Sequence, residues 1–412
     1  MNLLKTSMLS GVSTFIRIAC GLIITKTIAV FSGPSGVAVI GQLQNVINIS
    51  MLICGDFLKT AVTKYTAEYE DARRYKIWSA GVKIVFILCV VFFVVFYFFS
   101  NEISKILLGE VSYAFVFRAL AFSLPFFVIN SFILAILNGM KEIKMYIFLN
   151  ISLSVVSLFL VVFLSYSYGL NGALLAYATN QSVVCFITIF FVRKQKWFST
   201  KYFQYKPELA QYKSLFGFAL LTFTSIAASN SSILFIRNYL IDSLSPNAAG
   251  NWQAIWALSQ VVLSLITTSL STYLLPTLSK INNKKEITRE LYDAVKIIMP
   301  LTICMTMIMY LLRDYIILVL YTNEFDKLRD LFLFQMIGIN IKVFGWLFGY
   351  VLVAKGMIKY TVSTEILFSL LWCFLTVVFV GELGLNGVLY SFLITVIMHA
   401  ITMCALFRYK VR

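Results

Sequence analysis

The sequence has little charge and less acid. Only 13% of its 412 residues are charged, against 60% that are hydrophobic, and the mean hydropathy is +0.87. That is too little charge to cover a water-soluble globule of this size, so the composition defines an integral membrane protein. The seven cysteines (Cys20, Cys54, Cys89, Cys185, Cys304, Cys373 and Cys404) lie singly in or beside apolar runs, without CxxC spacing. They read as small core residues, neither disulfides nor metal ligands. The lone histidine, His399, sits on an apolar face and reads as packing. No cleavable signal peptide is expected, because the first apolar run carries Arg17 and Lys26 and continues past any small-residue cleavage site.

What the chain does have is long apolar runs. Twelve are long enough to cross a hydrocarbon core of about 30 Å, near 7–31, 36–57, 77–99, 113–137, 146–167, 172–192, 214–240, 250–277, 297–319, 331–354, 361–380 and 387–407. Their length excludes the short alternating strands of a β-barrel. The net charge of +16 is not spread evenly. Twenty-four of the 34 basic residues fall in alternate loops and the tails, and only Lys105, Lys327 and Arg329 lie in the opposite set. The positive-inside rule therefore puts both termini in the cytoplasm. The same asymmetry accounts for the charge through insertion and anionic-lipid contact, without nucleic acid. The outward loops are short, the longest being the stretch around 100–112, and leave no room for an extramembrane catalytic domain. Neither an enzyme nor a cofactor is expected.

One string occurs twice. Gly169-Leu170-Asn171-Gly172-Ala173-Leu174 returns as Gly384-Leu385-Asn386-Gly387-Val388-Leu389, 215 positions later. Ser79-Ala80-Gly81-Val82-Lys83-Ile84 answers Tyr292-Asp293-Ala294-Val295-Lys296-Ile297, and Gly139-Met140 answers Gly356-Met357, at nearly the same offset. An offset of six spans keeps the copies in parallel orientation. The expected fold is thus all-α, with twelve transmembrane helices in two six-helix lobes related by a pseudo-twofold axis along the membrane normal. The lobes are 1–192 and 214–412, joined by a basic, aromatic cytoplasmic linker at 193–213 that is expected to lie on the membrane surface.

Seven basic residues fall inside the spans, where a cation at mid-depth costs about 2.5–3.5 kcal/mol on insertion scales. Lys83 and Arg313 read as structural, the first near an interface and the second beside Asp314. Arg17 and Lys342 lie near mid-depth, out of easy reach of either interface, and are the leading anion-site candidates. Arg118, Arg237 and Lys26 are secondary candidates nearer the outer end. Arg17 and Lys26 share a face only if their helix bends, and Gly21 offers a place to do so. Uncharged polar residues mark the water-facing helices: Gln42, Gln44, Asn45 and Asn48 in span two, Ser225, Ser229, Asn230 and Ser232 in span seven, and Gln253, Gln260, Ser264, Thr268 and Ser271 in span eight. Of these, Asn45, Asn48, Gln253 and Gln260 are the substrate-contact candidates of a central cavity, with helix packing as the alternative. Asp56 and Glu365 are the acidic candidates for ion coupling, with an interfacial helix-end charge as the alternative.

Several stretches resemble the Wzx-type flippases of the multidrug/oligosaccharidyl-lipid/polysaccharide exporter superfamily, including those for O-antigen and for enterobacterial common antigen. The resemblance runs over nearly the whole chain. It is carried by Lys26-Thr27-Ile28-Ala29 with Gly33-Pro34-Ser35-Gly36, by Val62-Thr63-Lys64-Tyr65, by Tyr273-Leu274-Leu275-Pro276-Thr277-Leu278-Ser279, and by Leu311-Leu312-Arg313-Asp314. Arg17 departs from it, standing where a lysine is expected. The resemblance implies an alternating-access carrier of the bacterial inner membrane whose cationic cavity receives an undecaprenyl-pyrophosphate-linked oligosaccharide, with ion coupling. It further implies membrane lipids, a polysaccharide polymerase and a chain-length regulator as partners. On this reading the substrate is an O-antigen repeat unit. The rivals are the common-antigen lipid III unit, a cation-coupled drug exporter of the same superfamily, and a membrane glycosyltransferase or polymerase.

Overall fold

A computed structural model describes residues 3–69, 71–195, 197–281, 283–325 and 327–410. Every regular element among the described residues is helical. The long helices are α1 (Leu3–Met51), α3 (Asp71–Phe98), α5 (Ala114–Gly139), α6 (Ile143–Val192), α7 (Leu209–Ser243), α8 (Pro246–Ser269), α10 (Lys284–Leu311), α12 (Leu328–Ala354), α13 (Ile358–Leu383) and α14 (Leu385–Lys410). Shorter ones are α2 (Phe57–Glu68), α4 (Ser100–Leu108), α9 (Leu275–Lys280) and α11 (Arg313–Leu320). α1 is broken at Gly33 and α6 at Gly169, so each supplies two spans. Twelve spans result, six before the linker and six after it, and the protein is a multi-pass membrane protein. Among the described residues, eight helices are long and apolar enough to cross a membrane by length and composition. α7 and α8 hold most of the Ser, Asn, Thr and Gln residues picked out in spans seven and eight.

The duplicated string is a reverse turn between two spans, and its glycines have separate jobs. Gly169 and Gly384 adopt the same left-handed backbone, φ 56° and ψ −135° against φ 58° and ψ −139°, a conformation costly for any residue with a Cβ. Gly172 and Gly387 serve close approach: a Cβ there would collide with the carbonyl oxygen of Leu164 or of Phe379. Other irregularities recur at matched positions. A π-helical turn interrupts span two at Leu52–Asp56 and span eight at Leu270–Leu274. The 28-residue helices α3 and α10 are each followed by a short helix, α4 and α11, so the expected loop around 100–112 is mostly folded.

The turn after α5 corrects one sequence pairing. Met140 and Glu142 donate backbone hydrogen bonds to Ile136 and Leu137, and Lys355 and Met357 donate to Val351 and Leu352. This C-terminal cap needs a left-handed residue. Lys141 (φ 60°) supplies it in the first copy and Gly356 (φ 66°) in the second. Lys141 therefore answers Gly356 at the offset of 215, displacing the Gly139–Gly356 match by two residues.

The chain forms two compact units, one of residues up to Ser32 with Val39–Asn230, the other of Gly33–Ala38 with Ser231 onward. The linker belongs to the first unit because aromatic rings pin it to α3. Trp78 is fully buried, with Trp197 and Phe203 of the linker at 5.9 and 5.7 Å, while Tyr75 stacks on Tyr202 at 4.2 Å. The Trp78 indole donates to Thr66 Oγ1, and Lys76 pairs with Glu208. This linker is a packed wall of its unit.

Candidate functional site

In the second unit four helices bring aromatic residues to one place. Trp252 and Trp256 lie one turn apart on α8 and stack with centroids 5.8 Å apart. Trp372 of α13 adds to them at 6.4 and 5.4 Å, and Phe392 of α14 lies 5.6 Å from Trp372. Lys342, midway along α12, points its ammonium into this group. Its Nζ is 5.4 Å from the Trp256 centroid, 5.2 Å from Trp346 and 5.6 Å from Phe392. Each such contact contributes about 0.5–2 kcal/mol, most when desolvated. Three of them are of the size needed to offset the cost of holding a cation at mid-depth. Lys342 keeps part of its surface accessible. Glu365 of α13 and His399 of α14 lie within electrostatic reach of its ammonium.

Arg237 of α7 sits on the same cluster from another side. It is 1% exposed, its guanidinium lies 5.8 Å from the Trp252 centroid, and it donates to the Gln253 side-chain oxygen. A buried guanidinium is tolerated only when its donors are met, and Gln253 supplies one acceptor. Gln253 is thus drawn into the unit by Arg237. Gln335 similarly donates to Ser259, and Asn340 to Thr306.

The remaining candidates are spread out. Arg17 is exposed on α1, as is Asn48 further along, whereas Gln42 and Asn45 are buried and Lys26 is half-buried. Gly21 stays helical, and the break in α1 is at Gly33. Gln260 is exposed on α8. Arg118 is exposed and donates to Ser100 Oγ and Asn101 Oδ1, so it ties α5 to the start of α4. Asp56 closes the π-turn of span two and accepts a hydrogen bond from Ser131 of α5; π-turns of this kind concentrate at functional sites. Asp314 pairs with Arg329 at 2.8 Å, while neighbouring Arg313 lies against Tyr310 at 4.3 Å, so the expected Arg313–Asp314 partnership does not form. The side chains of Ser225 and Ser271 fall outside the described residues. Cys54 and Cys89 approach within hydrogen-bonding reach, and both are free thiols. No group of three metal-ligating side chains occurs among the described residues.

His399 packs in the second unit. Its ring meets Phe368 edge-on at 5.2 Å and it shares the field of Lys342. The signal for this neighbourhood is the glycine series Gly338, Gly345 and Gly349 on α12. A Cβ at Gly338 would strike Phe392, one at Gly345 would come within 3.1 Å of His399 Nδ1, and one at Gly349 would touch Met403. Small residues at such spacing form a helix-contact seam in membranes, which carries α12 against α14.

Twelve spans in two units, with cations held on aromatic rings inside them, define a polytopic membrane transporter. Solved structures agree on the fold. A multidrug resistance MATE family transporter of the MOP superfamily in an inward-facing conformation superposes with a TM-score of 0.83 at 16% identity, covering 97% of this chain and 98% of that one. A MOP superfamily transporter from Pyrococcus furiosus gives 0.74 at 14% identity, covering 99% and 95%. The chain belongs to the polysaccharide biosynthesis protein family, which it matches over residues 3–282. It is also 28% identical over 413 aligned residues to the lipid III flippases of Escherichia coli K12 and Shigella flexneri, covering 99% of this chain and 98% of each of those. The resemblance to Wzx-type members of the exporter superfamily is borne out by these matches.

Proposed function

We propose that this protein translocates an undecaprenyl-pyrophosphate-linked oligosaccharide, an O-antigen repeat unit, from the cytoplasmic to the periplasmic leaflet of the bacterial inner membrane. The observation that carries this reading is Lys342: an ammonium held at mid-span on Trp256, Trp346 and Phe392. An ammonium so placed is short of hydrogen-bond acceptors, and pyrophosphate oxygens supply them as short, charge-assisted bonds in a weakly polar setting. The indole faces offer flat apolar surface to sugar rings. Arg17, Arg118 and Lys26 are the further anion contacts of this reading and Asn45, Asn48 and Gln260 its sugar contacts, whereas Arg237 and Gln253, buried and bonded to each other, hold the aromatic support beside Lys342. Glu365 acts as the resident counter-ion that takes Lys342 back when the substrate leaves. With Asp56 it is the coupling candidate.

The moving bodies are the lobes 1–192 and 214–412, joined by 193–213, with both termini cytoplasmic. The protein is not an enzyme and uses no cofactor. It hands its product to a polymerase and a chain-length regulator. A drug exporter for cationic compounds is disfavoured because in-span bases outnumber in-span acids. The lipid III unit of enterobacterial common antigen is the second reading, favoured by the two full-length relatives.

Complementation of two deletion strains, one for each polysaccharide, decides between them. Restored O-antigen display is expected. Rescue of the common-antigen strain alone transfers the assignment to the second reading, and rescue of neither rejects both.

A further inference from the structure

The first unit contains a crevice that the reading above does not use. It has a volume of about 330 Å³, within the range of roughly 300–1,000 Å³ typical of small-molecule sites. Val82 and Cys89 of α3 and Pro125 and Ile129 of α5 form its sides, and Phe198 and Phe203 of the linker close one end. Val82 and Cys89 are separated by about 10 Å of helix, and Pro125 stands near the middle of α5. The crevice therefore runs from mid-membrane to the linker-side interface, the depth of one leaflet. Its lining is almost wholly apolar, and the exposed side chains of Phe86 and Ile129 flank an opening toward lipid.

Charge gathers at the linker end. Lys83 is exposed beside Val82, and Arg193, Lys194 and Lys201 are exposed on the linker. Arg193 and Lys201 lie over the rings of Phe190 and Tyr202, 4.2 and 5.0 Å from the centroids. The sole carboxylate of the linker, Glu208, is taken by Lys76. An apolar slot in one leaflet, with exposed cations at its interfacial end, complements a lipid having an anionic head and an apolar tail.

We propose that this crevice holds the first part of the polyisoprenoid tail of a prenyl-phosphate lipid, with Lys83 and the linker cations at its phosphate. This rests on the substrate class proposed above and adds where the tail docks while the headgroup is loaded.

The test uses full-length protein in phosphatidylcholine nanodiscs and measures retention of undecaprenyl phosphate against phosphatidylglycerol by native mass spectrometry. Wild type should retain the prenyl lipid at least tenfold better. Ile129→Trp, which fills the slot from its lipid side, should abolish that preference, and Lys83→Gln should weaken it several-fold. A photo-crosslinking residue at Phe86 should label with undecaprenyl phosphate, while one at Phe159, lipid-exposed on α6, should not. This second readout does not depend on the filling variant folding. Equal retention of both lipids by wild type, unchanged preference in Ile129→Trp, or equal labelling at Phe86 and Phe159 overturns the proposal. If the wild-type protein complements a polysaccharide-export deletion in any of these cases, only the tail site falls. Failure to complement would overturn the substrate class itself.

Discussion

Trp252 and Trp256 stack at 5.8 Å, and a cation lies over each ring: Arg237 at 5.8 Å from the first and Lys342 at 5.4 Å from the second. The two bases share one aromatic support but differ in access, since Arg237 is sealed and Lys342 is partly open. Their substitutions should therefore fail in different ways.

Lys342→Met keeps most of the unbranched side chain and removes the charge. Surface polysaccharide in a complemented deletion strain should fall at least tenfold at normal protein abundance. Trp256→Leu should cost less, because Trp346 and Phe392 still face the ammonium and one cation–π contact is worth about 0.5–2 kcal/mol. Wild-type display by Lys342→Met would remove this residue from the transport path.

Arg237→Met should act on folding. It leaves the Gln253 side-chain oxygen buried without its donor, a loss of about 1.5–3 kcal/mol for a bond from a charged group. Thermal unfolding in detergent should shift down accordingly. The double variant Arg237→Met with Gln253→Met should regain part of the loss, since removing both partners leaves no orphaned group. Additive losses would show that the pair is not the reason for the burial.

Lys141→Gly should stabilise the protein. Lys141 holds the left-handed cap position that Gly356 fills in the second copy. A residue with a Cβ pays about 1–2 kcal/mol for that conformation, while glycine's extra unfolded-state freedom returns about 0.5–1 kcal/mol of the gain. A net rise of about 0.5–1 kcal/mol is expected in unfolding experiments. Gly356→Lys should lose a similar amount.

The linker should loosen in acid. The Lys76 ammonium beside Glu208 holds its carboxyl below the ordinary value of 4.5. A group whose folded value is depressed stabilises the fold above its unfolded value and loses that contribution as pH falls through the folded one. The contribution of this pair to docking is thus complete at neutral pH, begins to weaken below about 4.5, and is gone beneath the folded value, while the ring contacts on Trp78 and Tyr75 remain. Limited proteolysis within 198–208 across this range should report it, and Glu208→Gln should cut equally at every pH. An identical pH profile in that variant would assign the effect to other groups.

The sequence reveals features that depend on local chemistry. A run of apolar residues must cross the bilayer wherever its neighbours lie, and a Gly-Leu-Asn-Gly turn needs its glycines for backbone reasons alone, so the twelve spans and both copies of the turn are visible in advance. Lys342 stands out because a mid-span cation is costly in any arrangement. Its surroundings are hidden, because Trp256, Trp346 and Phe392 come together from three helices. The polar residues mislead for a related reason: an amide on a helix face looks the same whether it is exposed, as Gln260 is, or meets a buried guanidinium, as Gln253 does. The aromatic content of the linker reads as a segment lying on the membrane surface, whereas its rings pack on Trp78, in a span that composition treats as ordinary apolar sequence.

The irregularities shared by the two halves and the cations that are not shared divide the labour of the chain. The π-turns at Leu52–Asp56 and Leu270–Leu274, the left-handed glycines and the short helices after α3 and α10 recur within a few residues of the repeat offset. Arg17 and Lys342 have no basic counterpart at that offset. What repeats is backbone geometry and what does not is charge, so side chains at the unpaired positions can be exchanged without disturbing the turns that the two halves share.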